Sequence, residues 1–193
     1  MNLGKDLNEN KLLESYPEVL DILLYDNTTK KNIIWGTNNY KSHGIGYFEN
    51  DHILVGQITG RHGSIIKPRV EKSKKEQQKR SKDMAEVFTP SWVCNKQNNL
   101  VDEKWFGYEN PFNIEQEKTW MPTPKVVFSS EKTWKDYVND VRLEITCGEA
   151  PYLVSRYDSV TGEFLSIERR IGLLDRKLRV INENAKIGRA SCR

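Results

Sequence analysis

Two short segments of the chain contain residue types that can bind a small polar ligand. In one of them, residues 141–145 alternate apolar and polar side chains, which predicts a strand, and Glu144 lies near its end. A turn of small residues follows, in which Gly148 would let the backbone approach a ligand closely. Strand–turn–helix units of this kind bind ligands over the carboxyl ends of the strands in α/β sheets. An acid beside such a turn can accept hydrogen bonds from an amino or hydroxyl group.

The two segments together resemble the cofactor motifs of DNA adenine-N6 methyltransferases. Residues 143–153 read Leu-Glu-Ile-Thr-Cys-Gly-Glu-Ala-Pro-Tyr-Leu, which is similar to the S-adenosylmethionine motif of that family, an acid followed by Pro-Ala-Cys-Gly-x-Gly. The other segment, Phe88-Thr89-Pro90, resembles the family's second cofactor motif. Their order along the chain is that of modification subunits of restriction–modification systems. The resemblance extends over residues 34–182.

The resemblance implies a site for S-adenosylmethionine and gives a role to each matching residue. Thr89 and Pro90 would lie against the methionine end of the cofactor, and Phe88 would pack their loop. Glu144 would lie near the cofactor's amino acid moiety, and the small residues that follow would form the turn beneath it. The implied cofactor-binding residues are Phe88, Thr89, Pro90, Glu144, Thr146, Cys147 and Gly148.

The chain also departs from the family pattern. Ile145-Thr146 replaces the usual Pro-Ala, and the usual second glycine is either replaced by Ala150 or displaced. The family methylates an adenine flipped out of the duplex and uses an Asn/Asp-Pro-Pro-Tyr/Phe tetrapeptide for it, and the sequence contains no such tetrapeptide. Asn110-Pro111-Phe112 matches this tetrapeptide in part, but it precedes the acid-and-glycine motif where the family has it afterwards. We interpret it as a turn. We therefore assign no catalytic residue and expect this stretch of chain to be inactive by itself.

A basic stretch precedes both segments. Residues 61–82 contain nine Lys or Arg and two Glu, and residues 71–83 contain no apolar side chain. Such a run is typical of a solvated helix or linker. A second interpretation is contact with nucleic acid, because Lys and Arg release counterions from phosphates. In the second interpretation, the residues that contact the phosphates of double-stranded DNA, without reading its sequence, are Lys72, Lys74, Lys75, Lys79 and Arg80.

Other functions fit parts of the sequence. Asp102-Glu103-Lys104 and Asp175-Arg176-Lys177 match the short acid-x-Lys pattern with which one class of restriction nucleases holds magnesium. That function would be favoured if Asp102 and Lys104 lay on a strand facing another acid. A non-catalytic DNA-binding or assembly subunit with a methyltransferase-like fold is a further alternative, which would account for the basic stretch and the imperfect glycine motif.

Short elements must position these residues. Residues 8–25 have the apolar spacing of an amphipathic helix, with Pro17 inside it, so one helix or two short ones are predicted. The aromatic insert at residues 104–132 could face DNA or pack into the core, and we favour packing. The other predicted elements are strands at residues 32–35, 51–58 and 141–145, a helical turn at 133–138 and a helix or strand at 171–181.

From these elements we predict an α/β protein. An N-terminal α+β unit (residues 1–65) would be joined by a basic helix or linker (66–84) to the incomplete start of a Rossmann-like S-adenosylmethionine-dependent methyltransferase domain (85–186). The strand at 141–145 would lack its parallel neighbours and expose apolar side chains. Residues 187–193 look like a translated sequencing adapter, so we expect them to be a non-native tail and the native sequence to continue beyond Lys186.

Composition excludes several classes of protein. The 193 residues suffice for one domain with an appended piece, and the three cysteines provide neither a disulfide framework nor a CxxC zinc pair. No apolar run approaches the roughly 18 residues that a membrane span needs, and no secretory signal opens the chain. We expect a cytoplasmic protein. Its net charge of +3 alone implies no partner; the resemblance implies double-stranded DNA and restriction or specificity subunits.

Overall fold

The computed structural model describes residues 8–83, 85, 87–145 and 148–185. These residues combine α-helices with two small antiparallel sheets, and the chain divides into two compact units, Met1–Pro68 and Arg69–Arg193. The prediction of a protein that mixes helices and strands is thereby confirmed in its coarse form. Within the described ranges, every helix is too short or too polar to cross a membrane. The predicted tail at residues 187–193 lies outside the described residues.

Two short helices open the first unit. α1 (Glu9–Ser15) is capped by Asn8, whose side-chain oxygen accepts the N–H of Lys11 at 3.0 Å. α2 (Pro17–Leu24) starts at a proline, which has no N–H to continue the ladder of α1 and suits the first position of a new helix. The alternative of two short helices is therefore confirmed.

A short hairpin follows, in which β1 (Tyr25–Asp26) pairs with β2 (Lys31–Asn32), so that each strand has two residues. The Asp26 carboxylate closes its turn by accepting the N–H of Thr28 at 2.8 Å. The predicted strand at residues 32–35 reaches this ladder only at its first residue and continues as an isolated bridge between Ile34 and His52.

The predicted strand at residues 51–58 is wrong, because the chain turns into a short helix, α3 (Val55–Ile58). The Gln57 side chain accepts the N–H of Leu54 at 2.8 Å and so satisfies a donor that a strand would have paired. This local hydrogen bond competes with an extended ladder. The hydrophobic core of the unit consists of Leu20, Leu24, Trp35, Tyr47, Ile53 and Ile58.

The second unit contains the longer helices. The basic stretch is helical from Lys74 onward, and the predicted helix or strand at 171–181 is a helix. The helical turn predicted at 133–138 is also confirmed. The α-helices and strands of the second unit are α4 (Lys74–Asp83), α5 (Ser91–Phe106), β3 (Asn113–Gln116), β4 (Thr119–Pro122), α6 (Trp134–Asn139) and α7 (Leu173–Asn184). β3 and β4 pair as an antiparallel hairpin.

The aromatic insert packs into the core of this unit, as favoured above. Phe112 is 2% exposed and Trp120 is 6% exposed. Trp105 stacks edge-on against Tyr137, with ring centroids 5.1 Å apart. Asn110 has a φ of +57°, a value typical of the predicted turn.

The predicted strand at residues 141–145 is wrong. Its backbone has no ladder partner among the described residues, and Arg142 instead turns inward to ion pairs with Asp102 at 2.8 Å and Asp140 at 2.9 Å. The apolar residues that alternate with it point outward: the exposed fractions are 92% for Val141 and 84% for Leu143. The expected exposure of apolar side chains is therefore confirmed, although the strand is not.

Candidate cofactor site and basic surface

The segment Phe88-Thr89-Pro90 leads into α5 and is held by a loop that begins at Asp158. Pro90 provides no side-chain cap for the helix, and Asp158 Oδ2 takes that place by accepting the N–H of Ser91 at 2.6 Å. Burial raises the pKa of Asp158, but the N–H groups of Ser91 and of its own turn outweigh burial, so the pKa is lowered overall. Ser159 Oγ donates to the Thr89 carbonyl at 2.9 Å. The loop thus fixes the backbone of this segment.

The glycine turn contacts that segment. Gly148 has a φ of +50°, and a Cβ atom built there would lie 3.5 Å from Phe88 Cε1. Phe88 and Gly148, which were predicted from separate motifs, are therefore neighbours. Thr146 and Cys147, predicted for the same turn, lie outside the described residues.

Arg69 and Glu149 join this contact, and neither was predicted. Glu149 accepts the backbone N–H of Arg69 at 2.7 Å and the hydroxyl of Tyr157 at 3.0 Å. The Arg69 guanidinium carbon lies 4.9 Å from the centre of the Phe88 ring, within cation–π range. In the sequence, Arg69 is one of many cations in the basic stretch, so nothing singles it out.

Glu144 has an incompletely satisfied carboxylate. Burial raises its pKa, and hydrogen bonds from the N–H groups of Tyr152 and Leu153 offset part of that effect. Its Oε2 atom is buried and has no hydrogen-bond partner among the described residues. A buried acceptor without a donor suits an amino group of a ligand, because the bond would remove a desolvation cost. Glu144 thus fits the role that the resemblance gives it.

Cys94 supports the segment from within α5. It is fully buried, and its thiol donates to the Thr89 carbonyl at 3.7 Å. Burial raises the pKa of the Cys94 thiol from its ordinary value of 9.0 to about 12. A thiol in this state packs as a small apolar group and does not act as a nucleophile.

The predicted DNA-contacting residues differ in their surroundings. Lys74, Lys75 and Lys79 are exposed on α4, whereas Lys72 and Arg80 are half-buried and make contacts in the structure. Beside α4 lies a cavity of about 420 Å³, which we call the α4 cavity. Its lining residues are Arg69, Lys74, Gln77, Gln78, Ser81 and Lys82. Of the predicted residues, only Lys74 lines it.

A larger cavity of about 550 Å³ borders α7 and includes none of the predicted site residues. Its apolar lining comes from Pro122, Ile167 and Leu178, and its charged lining includes Arg170 and Asp175. We call it the α7 cavity.

The arrangement that would favour a nuclease is not found. Asp102 and Lys104 lie on α5, a helix, and the Asp102 carboxylate is occupied by Arg176, by Arg142 and by the Tyr137 hydroxyl at 3.0 Å. The described ranges contain no group of three His, Cys, Asp or Glu side chains that could hold a metal ion.

No protein-family model, curated protein or solved structure matches this chain.

Proposed function

We propose that this chain is the part of a DNA adenine-N6 methyltransferase, of a restriction–modification system, that binds the cofactor and the DNA backbone. The supporting observation is the contact between the two motif segments, in which Phe88 lies 3.5 Å from the Cβ position of Gly148. A chance likeness of two short sequences gives no reason for them to meet in space. The beginning of a Rossmann-like domain is part of this proposal.

S-adenosylmethionine, when bound, supplies a methyl group activated by its positive sulfur. Glu144 would accept a hydrogen bond from the amino group of the cofactor through Oε2, which is buried without a partner among the described residues. The loop Phe88-Thr89-Pro90, fixed by Asp158 and Ser159, would cover the methionine end. Gly148 would let the backbone approach it. Thr146 and Cys147 keep the role that the resemblance gives them.

We assign no step of methyl transfer to residues of this chain, because the sequence lacks the Asn/Asp-Pro-Pro-Tyr/Phe tetrapeptide. The basic side chains of the 61–82 stretch would hold duplex DNA by its phosphates, a contact that positions the protein without selecting a sequence. Recognition of a target site and methyl transfer would depend on further polypeptide, such as a specificity subunit.

Equilibrium binding of radiolabelled S-adenosylmethionine to the full chain tests the proposal. Glu144→Gln should weaken binding roughly tenfold, because a charge-assisted hydrogen bond contributes about 1.5–3 kcal/mol. Glu163→Gln, which makes the same change at an exposed residue outside both motifs, should leave binding unchanged. Absence of saturable binding, or equal binding by the two variants, would overturn the assignment.

A second function has its own support. The Glu144 carboxylate already accepts the N–H groups of Tyr152 and Leu153, and residues 141–145 form no strand. Both features favour a non-catalytic DNA-binding or assembly subunit with a methyltransferase-like origin. Binding of duplex DNA without any binding of S-adenosylmethionine would select this function.

A further inference from the structure

The α4 cavity has a positively charged lining. Three of its side chains are cationic, Arg69, Lys74 and Lys82, and none is a carboxylate. Its volume is about 420 Å³, and since a water molecule occupies about 30 Å³ of liquid, a tetrahedral anion fits with part of its hydration shell. The remaining lining consists of amide and hydroxyl groups, which also donate hydrogen bonds.

The cavity residues on α4 form one face of the helix. They lie at positions 74, 77, 78, 81 and 82, the spacing at which an amphipathic helix normally carries its apolar stripe. Here the stripe is entirely polar, so packing of a hydrophobic core does not explain it. Lys75 and Lys79 lie on α4 outside this stripe and do not line the cavity.

Arg69 is held in place before any ligand binds. Its guanidinium lies over the Phe88 ring at 4.9 Å, and its backbone N–H is bound by Glu149 at 2.7 Å. Its Nε atom is buried and has no hydrogen-bond partner among the described residues. A guanidinium fixed in this way loses little conformational entropy on binding, and its fork of donors matches the oxygens of a phosphate.

We propose that the α4 cavity binds one phosphate group of the DNA backbone. Arg69 provides the fork of donors, and Lys74 and Lys82 neutralise the charge from one side. Lys75 and Lys79 then contribute only long-range attraction. The assignment of the phosphate to DNA rests on the proposed function. The same side chains would also bind free phosphate, so the experiment distinguishes DNA from free phosphate.

The test compares two double variants that remove the same charge from the same helix. Lys74→Gln/Lys82→Gln alters the α4 cavity, and Lys75→Gln/Lys79→Gln is the matched control. Fluorescence anisotropy of a short labelled duplex should show about tenfold weaker binding for the cavity variant than for the control, since about 1.4 kcal/mol corresponds to a tenfold change. The slope of log affinity against log salt should also fall by about 1 more than in the control.

Arg69→Lys adds a variant that keeps the net charge. It should weaken duplex binding because the ammonium cannot form the paired bonds of a guanidinium. Circular dichroism of each variant verifies that α4 is retained. Equal duplex affinities for the cavity and control variants, with the helix intact, would overturn the proposal.

Inorganic phosphate, titrated at constant ionic strength, distinguishes the source. Weak competition with the duplex is the expected result. Saturable phosphate binding that depends on Lys74 and Lys82, with duplex binding unaffected by them, would overturn the DNA assignment. None of these measurements needs S-adenosylmethionine. If the cavity variant loses duplex affinity selectively but the chain does not bind the cofactor, only the methyltransferase proposal is contradicted. If the chain binds the cofactor but the cavity and control variants have equal duplex affinity, only the phosphate-site proposal is contradicted.

Discussion

The carboxylate of Asp102 in α5, which is 0% exposed, accepts a hydrogen bond from the guanidinium of Arg176 in α7, which is 2% exposed. Arg176 also donates to Asn95 Oδ1 at 2.9 Å and to Asn99 Oδ1 at 2.8 Å. Arg142 contributes a second cation to Asp102 at 2.8 Å. This buried network joins α5 to α7 and to the segment that leads into the Glu144 motif.

Asp102→Asn should lower the free energy of unfolding of the second unit by about 3–5 kcal/mol, because it leaves Arg176 buried without its counter-charge. Urea unfolding followed by tryptophan fluorescence measures this. Asp83→Asn, at the exposed end of α4, should stay within about 0.5 kcal/mol of the wild type. If Asp102→Asn is as stable as Asp83→Asn, the network does not hold the unit together.

Asp158→Ala should lower the stability of the second unit by about 1–2 kcal/mol at pH 7, as the loss of a helix cap does. The pKa of Asp158 is lowered in the folded protein from its ordinary value of 3.8. Its contribution is therefore present above pH 3.8 and is lost as the pH falls through the lower folded value.

Unfolding curves recorded from pH 7 down to pH 2 should show a steeper acid loss for the wild type than for Asp158→Ala. Asp21→Ala, an exposed acid in α2, serves as the control. Parallel acid curves for the wild type and Asp158→Ala would show that the bond to Ser91 contributes no stability.

Much of the helical structure could be predicted from the sequence, because local signals determine it. Pro17 separates α1 from α2 through its own covalent geometry, and the apolar spacing of α7 is contained within one element. Such signals need no knowledge of the rest of the chain.

Strands depend on partners that are distant in the sequence, and the predicted strand at residues 141–145 is wrong for this reason. The alternation at residues 141–145 has the period of a strand, but Arg142 is drawn inward by Asp102, which belongs to another element. The same limit applies to the site. Asp158 and Arg69 reach the Phe88 segment only through tertiary contacts, so their residue types and spacing carry no sign of it.

Cys94 should resist alkylation in the folded protein. Iodoacetamide reacts with thiolates, and with a pKa of about 12 the buried thiol is almost entirely protonated at pH 8. Peptide mapping by mass spectrometry should find Cys94 unmodified under native conditions and fully modified in urea. Rapid native modification of Cys94 would contradict the burial of this part of α5.

The backbone around the glycine turn predicts opposite effects for opposite substitutions. Gly148 and Ala150 both have a φ of +50°, a region that costs a residue with a Cβ atom about 1–2 kcal/mol. Gly148→Ala should therefore destabilise the protein by about 1 kcal/mol. Ala150→Gly should stabilise it by roughly 0.5 kcal/mol, because the relief of strain exceeds the added entropy of the unfolded chain.

Gly56→Ala is the matched control for the first change. Gly56 lies in α3 with open space at its Cβ position and no positive φ, so alanine should stabilise the protein there. Urea midpoints rank the variants. A Gly148→Ala protein as stable as Gly56→Ala would show that the turn does not need glycine.

We propose above that the Phe88 and Gly148 segments together form a site for S-adenosylmethionine. Titration of the isotopically labelled chain with S-adenosylmethionine, followed by amide NMR, tests this proposal. We predict saturable shifts of the amide signals of Phe88, Glu144 and Gly148. Their titration midpoint should move to a roughly tenfold higher cofactor concentration in Glu144→Gln and should be unchanged in Glu163→Gln. Absence of shifts, or shifts confined to residues of the α7 cavity such as Leu178, would contradict the claim.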